Sequence, residues 1–442
     1  MNHLEPCQTL VTKNSSFCTP LAEGTYWLGR ILTWPLHHGV ERIERLTERS
    51  LNEDWHGRLQ SLRLEILRRI WWAISGVLLA IVGFVPAIAG GILMFLANLD
   101  KEDMTLIEPE PSCKPPILPL DQDPKVTTFN LGALPDWITV RNQLRPLEER
   151  IDQFIDYVLH HQDADCICLQ ELFDQDAIRV VKRCREKYPW MVVDAGPRTF
   201  GMNSGLAVLS KFPIKKDREK QQEPRFWKFK EALDEDKWAN KGVLGVQIQV
   251  HPERDVVILN THFQSGYAKR YQDIRAHSIE GIKAIYEMYN KIYAGVKNDI
   301  TMFTVGDFNM HKYEDERKVV VEGKIQDVTW ENWNEGKLKH NSEWPERAEF
   351  FYDINKHHAL DDGSCWLKKS PWTLWDFQHK DEWILQHNQA DHILIHRGHR
   401  IPKGKVRADL EMGRCSDHVA VCWEPDDSEK NVLGRVPEDA MA

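Results

Sequence analysis

Short apolar runs alternate with amphipathic stretches through the last three hundred or so residues of the chain. From Lys125 onward, VTTFNLG reads as a strand. Val140 to His161 predicts a helix with Leu147, Ile151, Phe154, Ile155 and Val158 on one side. ADCICLQEL predicts a buried strand that ends in polar residues, and Gln175 to Tyr188 a second helix. SGLAVLSKFPI, KGVLGVQIQV and DVVILNTHF predict strands, and Asp273 to Lys297 a long helix. ITMFTVGDFN, ADHILIH and SDHVAVCWE complete the series of strands. Some strands are separated by helices and others are hairpin-like neighbours. That mixture predicts an α/β fold, with two mixed sheets face to face and helices outside.

The first 124 residues follow a different pattern. Residues 1–69 mix apolar and charged positions at helical spacing, with Ile43 and Leu46, then Leu59, Leu62, Ile66 and Ile70, at three- and four-residue steps. This predicts an amphipathic helical region. Ile70 to Leu99 holds no charged residue over 30 positions, and Arg68, Arg69, Asp100 and Lys101 flank it. About 20 apolar residues suffice to cross a bilayer, and Trp71 and Trp72 sit where an interfacial aromatic belt belongs. The stretch 70–99 is therefore expected to be a membrane anchor, as one kinked span or as a re-entrant hairpin around Gly83 and Pro86. Residues 100–124 contain six prolines and read as a stiff linker. Residues 125–425 then form the catalytic domain, and 426–442 a polar tail.

Composition changes this picture in two respects. Mean hydropathy is −0.49, an average that hides the uncharged stretch. Acidic residues outnumber basic ones by 67 to 57, for a net charge of −10. A protein that holds a phosphate backbone by charge is usually basic, so nucleic acid loses weight as a partner. The 9 cysteines form no CxxC pair and are expected to be reduced. Cys166 and Cys168, two apart on a strand, point to one face.

Polar residues recur where these apolar strands end: Asn130, Glu171, His262, Asp307 with Asn309, Asp391, and Asp417 with His418. One such residue alone is a turn or cap residue. Six such strand ends in order predict a shared cleft at one sheet edge. Glu171, with Asn130 and Asp417, offers hard oxygen donors suited to Mg2+. A histidine beside a carboxylate is the arrangement that deprotonates water at neutral pH. Together they suit metal-assisted phosphoester hydrolysis.

Asn130 at a strand end, QE at 170–171, GDFN at 306–309, ADH at 390–392 and SDH at 416–418 resemble the endonuclease/exonuclease/phosphatase superfamily. The resemblance covers Lys125 to Glu424 and implies a four-layer α/β sandwich. It implies that Asn130 and Glu171 bind Mg2+, that Asp307 and Asn309 hold the attacking water and the phosphate, and that Asp391 orients His418. It gives His262 a contact to the phosphate and leaves the base work divided between Asp307 and His418.

Three further stretches resemble the membrane-bound neutral sphingomyelinases. These are MNSGLAVLSKFPI, which suggests Asn203 as a contact, DKWANKG, and THFQSGYAKRYQDIRAHSIEGI. In DKWANKG the pair Asp236 and Lys241 resembles a switch loop that reorganises to admit lipid. ADHILI stands where those enzymes carry IDYVL, with the aspartate kept, and the tryptophan-rich stretch 326–388 aligns poorly with them. The resemblance implies a membrane-anchored, Mg2+-dependent phosphodiesterase that splits sphingomyelin, a membrane lipid, into ceramide and phosphocholine. A nuclease or a phosphoinositide phosphatase of the same superfamily is the alternative. A nuclease should show a basic, aromatic-lined groove, and a phosphoinositide phosphatase a Lys/Arg cluster, for which Arg218, Lys220, Arg225, Lys228 and Lys230 are candidates.

Overall fold

The computed structural model describes chiefly residues 104–133, 147–173, 183–265 and 269–309, short runs within 318–327, 374–395 and 404–425, and scattered positions before residue 94. In chain order the strands begin with β1 (Gln8–Thr9), β2 (Thr105–Ile107), β3 (Val126–Ala133), β4 (Cys166–Leu172), β5 (Trp190–Val193) and β6 (Ala207–Ser210). There follow β7 (Arg225–Lys228), β8 (Gly242–His251), β9 (Arg254–His262) and β10 (Asp299–Asp307). After two small hairpins, β11 (Lys318–Val321) with β12 (Lys324–Asp327) and β13 (Leu374–Asp376) with β14 (Ile384–Gln386), come β15 (Asp391–Ile395), β16 (Gly404–Asp409) and β17 (Ala420–Pro425). Two helices carry the outer layers, α1 (Leu147–His160) and α2 (Lys269–Tyr293).

Two mixed sheets result. The first runs β16-β17-β3-β4-β6-β5-β2, parallel only between β3 and β4. The second runs β1-β7-β8-β9-β10-β15, parallel only between β9 and β10. Side chains alternate between faces along a strand, and here both faces are apolar. On β4, Cys166 and Cys168 face the second sheet, while Ile167 and Leu169 pack beneath α1. On β9, Val256 and Ile258 face the first sheet, while Val257 and Leu259 pack beneath α2. Helix, sheet, sheet and helix thus stack as four layers with three apolar seams, as the resemblance implies.

The inner rows turn polar near one end. Gln170 continues the inward row of Cys166 and Cys168, and Asn260 that of Val256 and Ile258. The Gln170 amide donates to Asn260 Oδ1 (2.7 Å) and to Thr128 Oγ1 (3.0 Å). The Asn260 amide in turn donates to the carbonyls of Leu169 and Ala207, both at 2.9 Å. All of these atoms are buried, so the bonds form without competition from water.

Nine short strands have no counterpart in the sequence reading: β1, β2, β5, β7, β11, β12, β13, β14 and β16. They are two to six residues long, too few to show a period. Helix α2 starts one turn before Asp273, and α1 is described from Leu147. Of the helix expected at 175–188, Val180, Arg183 and Cys184 are described as helical. The proline-rich stretch is fastened to the domain rather than standing off it. β2 pairs with β5, Leu118 N–H donates to the Val250 carbonyl (2.9 Å), and buried Arg254 binds the carbonyls of Leu120 and Gln122 and the Asp123 carboxylate.

The anchor expected at 70–99, as one kinked span or a re-entrant hairpin, is described only in part. Among the described residues no helix is long and apolar enough to cross a membrane. The described positions between 70 and 93 are helical, and Ile70, Trp71, Ile74, Val77, Leu78, Ile81, Val82, Phe84, Val85, Ile88 and Ile92 are exposed. Most of residues 1–69, of the tryptophan-rich stretch, and all of the tail lie outside the described residues. Among described cysteines, Cys166, Cys168, Cys184 and Cys422 are buried thiols and Cys113 an exposed one.

Asn260→Ala should remove the tie between the sheets and leave the Gln170 amide without its nearest acceptor. The expected loss is about 1–3 kcal/mol, read as a lower urea midpoint with an unchanged slope.

Candidate functional site

The polar ends of the inner rows meet at one edge of the sandwich. Asn130 ends the inward row of β3. His262 and Asp307 end the parallel neighbours β9 and β10, where they are register partners. Asp391 opens the antiparallel β15 as the register partner of Asp307. His418 lies just before β17. The first sheet thus supplies Asn130, Glu171 and His418, and the second His262, Asp307 and Asp391.

Glu171 follows Gln170, so simple alternation would turn it toward α1. Its backbone takes φ 55, and the β3–β4 register shifts between Asn130 and Ala133. The left-handed residue brings its carboxylate to the cleft, 3.2 Å from the Asn130 amide nitrogen and 3.7 Å from His262 Nε2. Such a conformation is unfavourable for a glutamate and persists only where its surroundings enforce it. Gly205 is one enforcer, since a β-carbon there would lie 2.9 Å from the Glu171 Cα. Its amide donates to Asn203 Oδ1 (2.8 Å), and buried Asn203 donates to Asp194 Oδ1 (2.9 Å). Asn203 therefore shapes the turn that supports Glu171, and its bonded partners are this turn and Asp194 rather than the cleft.

Asp307 lies at the centre. It accepts from the Asn130 amide (2.9 Å) and from the backbone N–H of Asn309 (2.8 Å). His262 Nε2 and His418 Nε2 lie 3.4 and 3.7 Å from its Oδ2. Burial raises its carboxyl to about 6, His418 opposes that rise, and nearby Asp391 adds to it. His418 donates from Nδ1 to Asp391 (2.7 Å), which leaves the Nε2 lone pair toward Asp307 and Asn130. Asn309 (φ 49) turns its amide to the Phe263 carbonyl (3.2 Å), so it braces the loop rather than entering the cluster.

The pair expected to form a switch is assembled and touches the cluster. Lys241 lies 3.2 Å from Asp236 and donates to His262 Nε2 (2.5 Å). Burial first, then the Lys241 charge, hold His262 well below its ordinary range, so the ring is neutral. Accepting at Nε2 places the ring proton on Nδ1, which is buried with no partner among the described residues. The other Asp236 oxygen accepts from the Gln264 amide and from Ser265 N–H and Oγ, each at 2.7 Å. Gln264 and Ser265 were not singled out as site residues. Their signal was the THFQS run at the end of β9.

The donor set suits a hard divalent cation. Glu171 offers a partly open carboxylate oxygen, and the buried acids Asp307 and Asp391 crowd the same space. Asp307, Asp391 and His418 also place one potential ligand atom each within 4.8 Å of one another. Asn130 presents its amide nitrogen to Glu171 and Asp307, with Oδ1 accepting from Gly132 N–H (3.0 Å). It would ligate a cation only after the amide turned over. Asp417 lies outside the described residues.

Comparison with known proteins bears on this arrangement. A curated sphingomyelinase of Dictyostelium discoideum is 30% identical over 121 residues, 24% of this chain and 25% of that protein. The chain thus spans about a quarter of the length of the curated relative it matches. A mutant beta toxin from Staphylococcus aureus, solved with bound magnesium ions, is 18% identical with a TM-score of 0.47, over 69% of this chain and 100% of that one. SmcL is also 18% identical with a TM-score of 0.47, over 68% and 98%. The family model described as "Endonuclease/Exonuclease/phosphatase family" matches residues 127–418, a stretch that includes every described residue of the cluster, and the chain belongs to that family.

Proposed function

We propose that the chain is a divalent-metal-assisted phosphodiesterase acting on a sphingomyelin-like lipid at a membrane surface. The products would be phosphocholine and ceramide. The observation that carries the hydrolytic part is the buried relay of Asp391, His418 and Asp307, facing the neutral His262 and the Lys241 ammonium across one cleft. The lipid part draws support from the sphingomyelinase relative and from the exposed apolar side chains between Ile70 and Ile92.

Asp391 fixes the His418 tautomer and stabilises the imidazolium once Nε2 takes a proton. Asp307, between the two imidazoles, is placed to orient the attacking water and to share its proton with His418. The Lys241 ammonium is a donor fixed in a dry site, where it stabilises charge that develops on phosphoryl oxygens. His262 stays neutral and holds the Lys241 ammonium beside the cleft. Glu171, with Asn130 after an amide turn, would hold Mg2+; when bound, the ion supplies Lewis-acid polarisation of a phosphoryl oxygen.

Asp391→Asn should lower kcat/KM by about 10²–10⁴-fold while the fold stays intact. Phosphocholine release from sphingomyelin vesicles measures this, and a circular-dichroism melt checks the fold. Turnover that survives in both Asp391→Asn and His418→Ala would end the relay assignment. EDTA should abolish turnover and Mg2+ restore it, with Glu171→Gln requiring more Mg2+ for half activity. Hydrolysis of another phosphodiester with no phosphocholine release would overturn the lipid reading alone.

The raised Asp307 carboxyl fixes a pH dependence. A carboxyl whose folded pKa lies above its unfolded value favours the folded state at low pH, and this contribution is lost as pH rises through the folded value. In metal-free protein, Asp307→Asn should gain melting temperature relative to the parent between about pH 4 and pH 6. The gain should level off above that window. A gap that is constant with pH would contradict the buried, desolvated assignment.

Asp236→Ala frees Lys241 from its partner and empties the Gln264–Ser265 pocket. It should reduce lipid turnover more than turnover of a soluble choline phosphodiester, by on the order of tenfold. Equal losses on both substrates would argue against a loop that gates lipid entry.

A further inference from the structure

The turn that carries Asp236 is gripped from two sides. It is one turn of 3-10 helix, Asp234–Lys237. On the inner side, Asp236 holds Lys241 and the Gln264–Ser265 loop. On the outer side, the Arg270 guanidinium donates to Asp234 Oδ2 (3.0 Å), and the Tyr271 hydroxyl donates to the same oxygen. Arg270 also donates to the Tyr271 hydroxyl and lies 4.7 Å from the centre of its ring. Both residues stand in the first turn of α2. A further pair, His277 with Glu231 (2.9 Å), ties the stretch just ahead of the turn to the same helix. Among the described residues, neither Arg270 nor Tyr271 bonds to a member of the cleft cluster.

Stability does not account for this outer grip. Arg270 is 61% and Asp234 45% exposed, and exposed ion pairs contribute little to folding. Yet the backbone at Asp234 takes φ 52, a left-handed conformation that persists only where its surroundings enforce it. The enforcers are the two α2 side chains on the Asp234 carboxylate and Gln264, whose Oε1 accepts from Leu233 N–H (2.8 Å). The helix is a firm support, because buried Arg275, one turn further along, donates to the Gln264 carbonyl (2.8 Å), and Ile282, Tyr286 and Tyr289 pack in the seam beneath the helix. Asp236 follows two residues after Asp234 in the same turn, and it is the ion-pair partner of Lys241. Movement of the turn at Asp234 is therefore passed to the Lys241 ammonium, which bonds His262.

We infer that Arg270 and Tyr271 are positioning residues, which hold Asp234 from outside the cleft and so set where Lys241 stands against His262. This rests on the hydrolytic reading above and adds residues that act on the site from α2. The outer pair is exposed and is screened by salt, whereas the buried Asp236–Lys241 pair is screened much less. Part of the salt dependence of turnover thus originates at Arg270.

The test is a double-mutant cycle on the full chain with Mg2+, using a soluble choline phosphodiester so that vesicle binding plays no part. Arg270→Gln should lower kcat by about tenfold with KM changed by less than about twofold, the pattern of an interaction lost in the transition state. Asp234→Asn, which tolerates the left-handed backbone, should give the same loss, and the two together should lose no more than either alone. In a Lys241→Ala background, Arg270→Gln should cost less than about twofold. A full additional loss there would overturn the inference, as would parent kcat in Arg270→Gln. Tyr271→Phe at parent kcat would overturn the part given to Tyr271. Raising NaCl from about 0.05 to about 0.5 M should lower kcat by a larger factor in the parent than in Arg270→Gln, and equal factors would count against the exposed pair. Melting temperatures should agree within about 2 °C, and a larger drop would mark the pair as merely structural.

A readout free of turnover separates this inference from the hydrolytic reading. In metal-free protein, the His262 ring nitrogen resonances, identified by their loss in His262→Gln, should move in Arg270→Gln as Lys241 leaves Nε2. Unmoved resonances would overturn the positioning role whatever the substrate. Resonances that move in a chain that cleaves no phosphodiester would overturn the hydrolytic reading alone.

Discussion

The site depends on the spacing between two sheets, and a pair of buried amides holds that spacing. Gln170 on β4 and Asn260 on β9 bond to each other one step behind the catalytic edge. Each sheet brings only half of the chemistry. Glu171, Asn130 and His418 come from one, and His262, Asp307 and Asp391 from the other. Apolar seams set the mean separation, but apolar contact is non-directional. An amide pair has a direction and a length, so it fixes register and distance together. A displacement of about 1 Å in such a site costs on the order of a hundredfold in rate, so this tie matters for chemistry as well as for stability.

Burial decides the charge states in the cleft more than any single partner does. It pushes the Asp307 carboxyl up and the His262 imidazole down. The carboxyl thereby becomes a group that exchanges protons near neutrality, and the imidazole a permanent acceptor for Lys241. Neither property belongs to the residue type. Both follow from placing the polar ends of apolar strands between two sheets, where water is scarce and the donors are already aligned.

The four-layer arrangement was legible because long strands keep a period and both faces of them are apolar. The cleft was legible because polar residues interrupt those runs at matching ends. Alternation alone misplaces Glu171, since it cannot foresee a left-handed backbone at a bulge. The resemblance gives Asn203 and Asn309 to the cleft, although their amides serve turns at its border. Gln264 and Ser265 were hidden in the loop after β9, because a carboxylate's partners are not specified by spacing. β1 and β2 were invisible for a related reason. A strand of two or three residues exists only because a sheet edge is there to receive it.

Chain order adds a constraint of its own. β17, near the end of the chain, pairs with β3, Val421 opposite Thr128, and so closes a loop of nearly the whole domain. His418 reaches the cleft only when that pairing forms. A ribosome-bound chain that has not yet released β17 holds every other described member of the cluster but lacks His418 in place. Long-range closure of this kind is slow relative to local structure. Catalytic competence is therefore acquired in one late step, once Val421 has paired with Thr128.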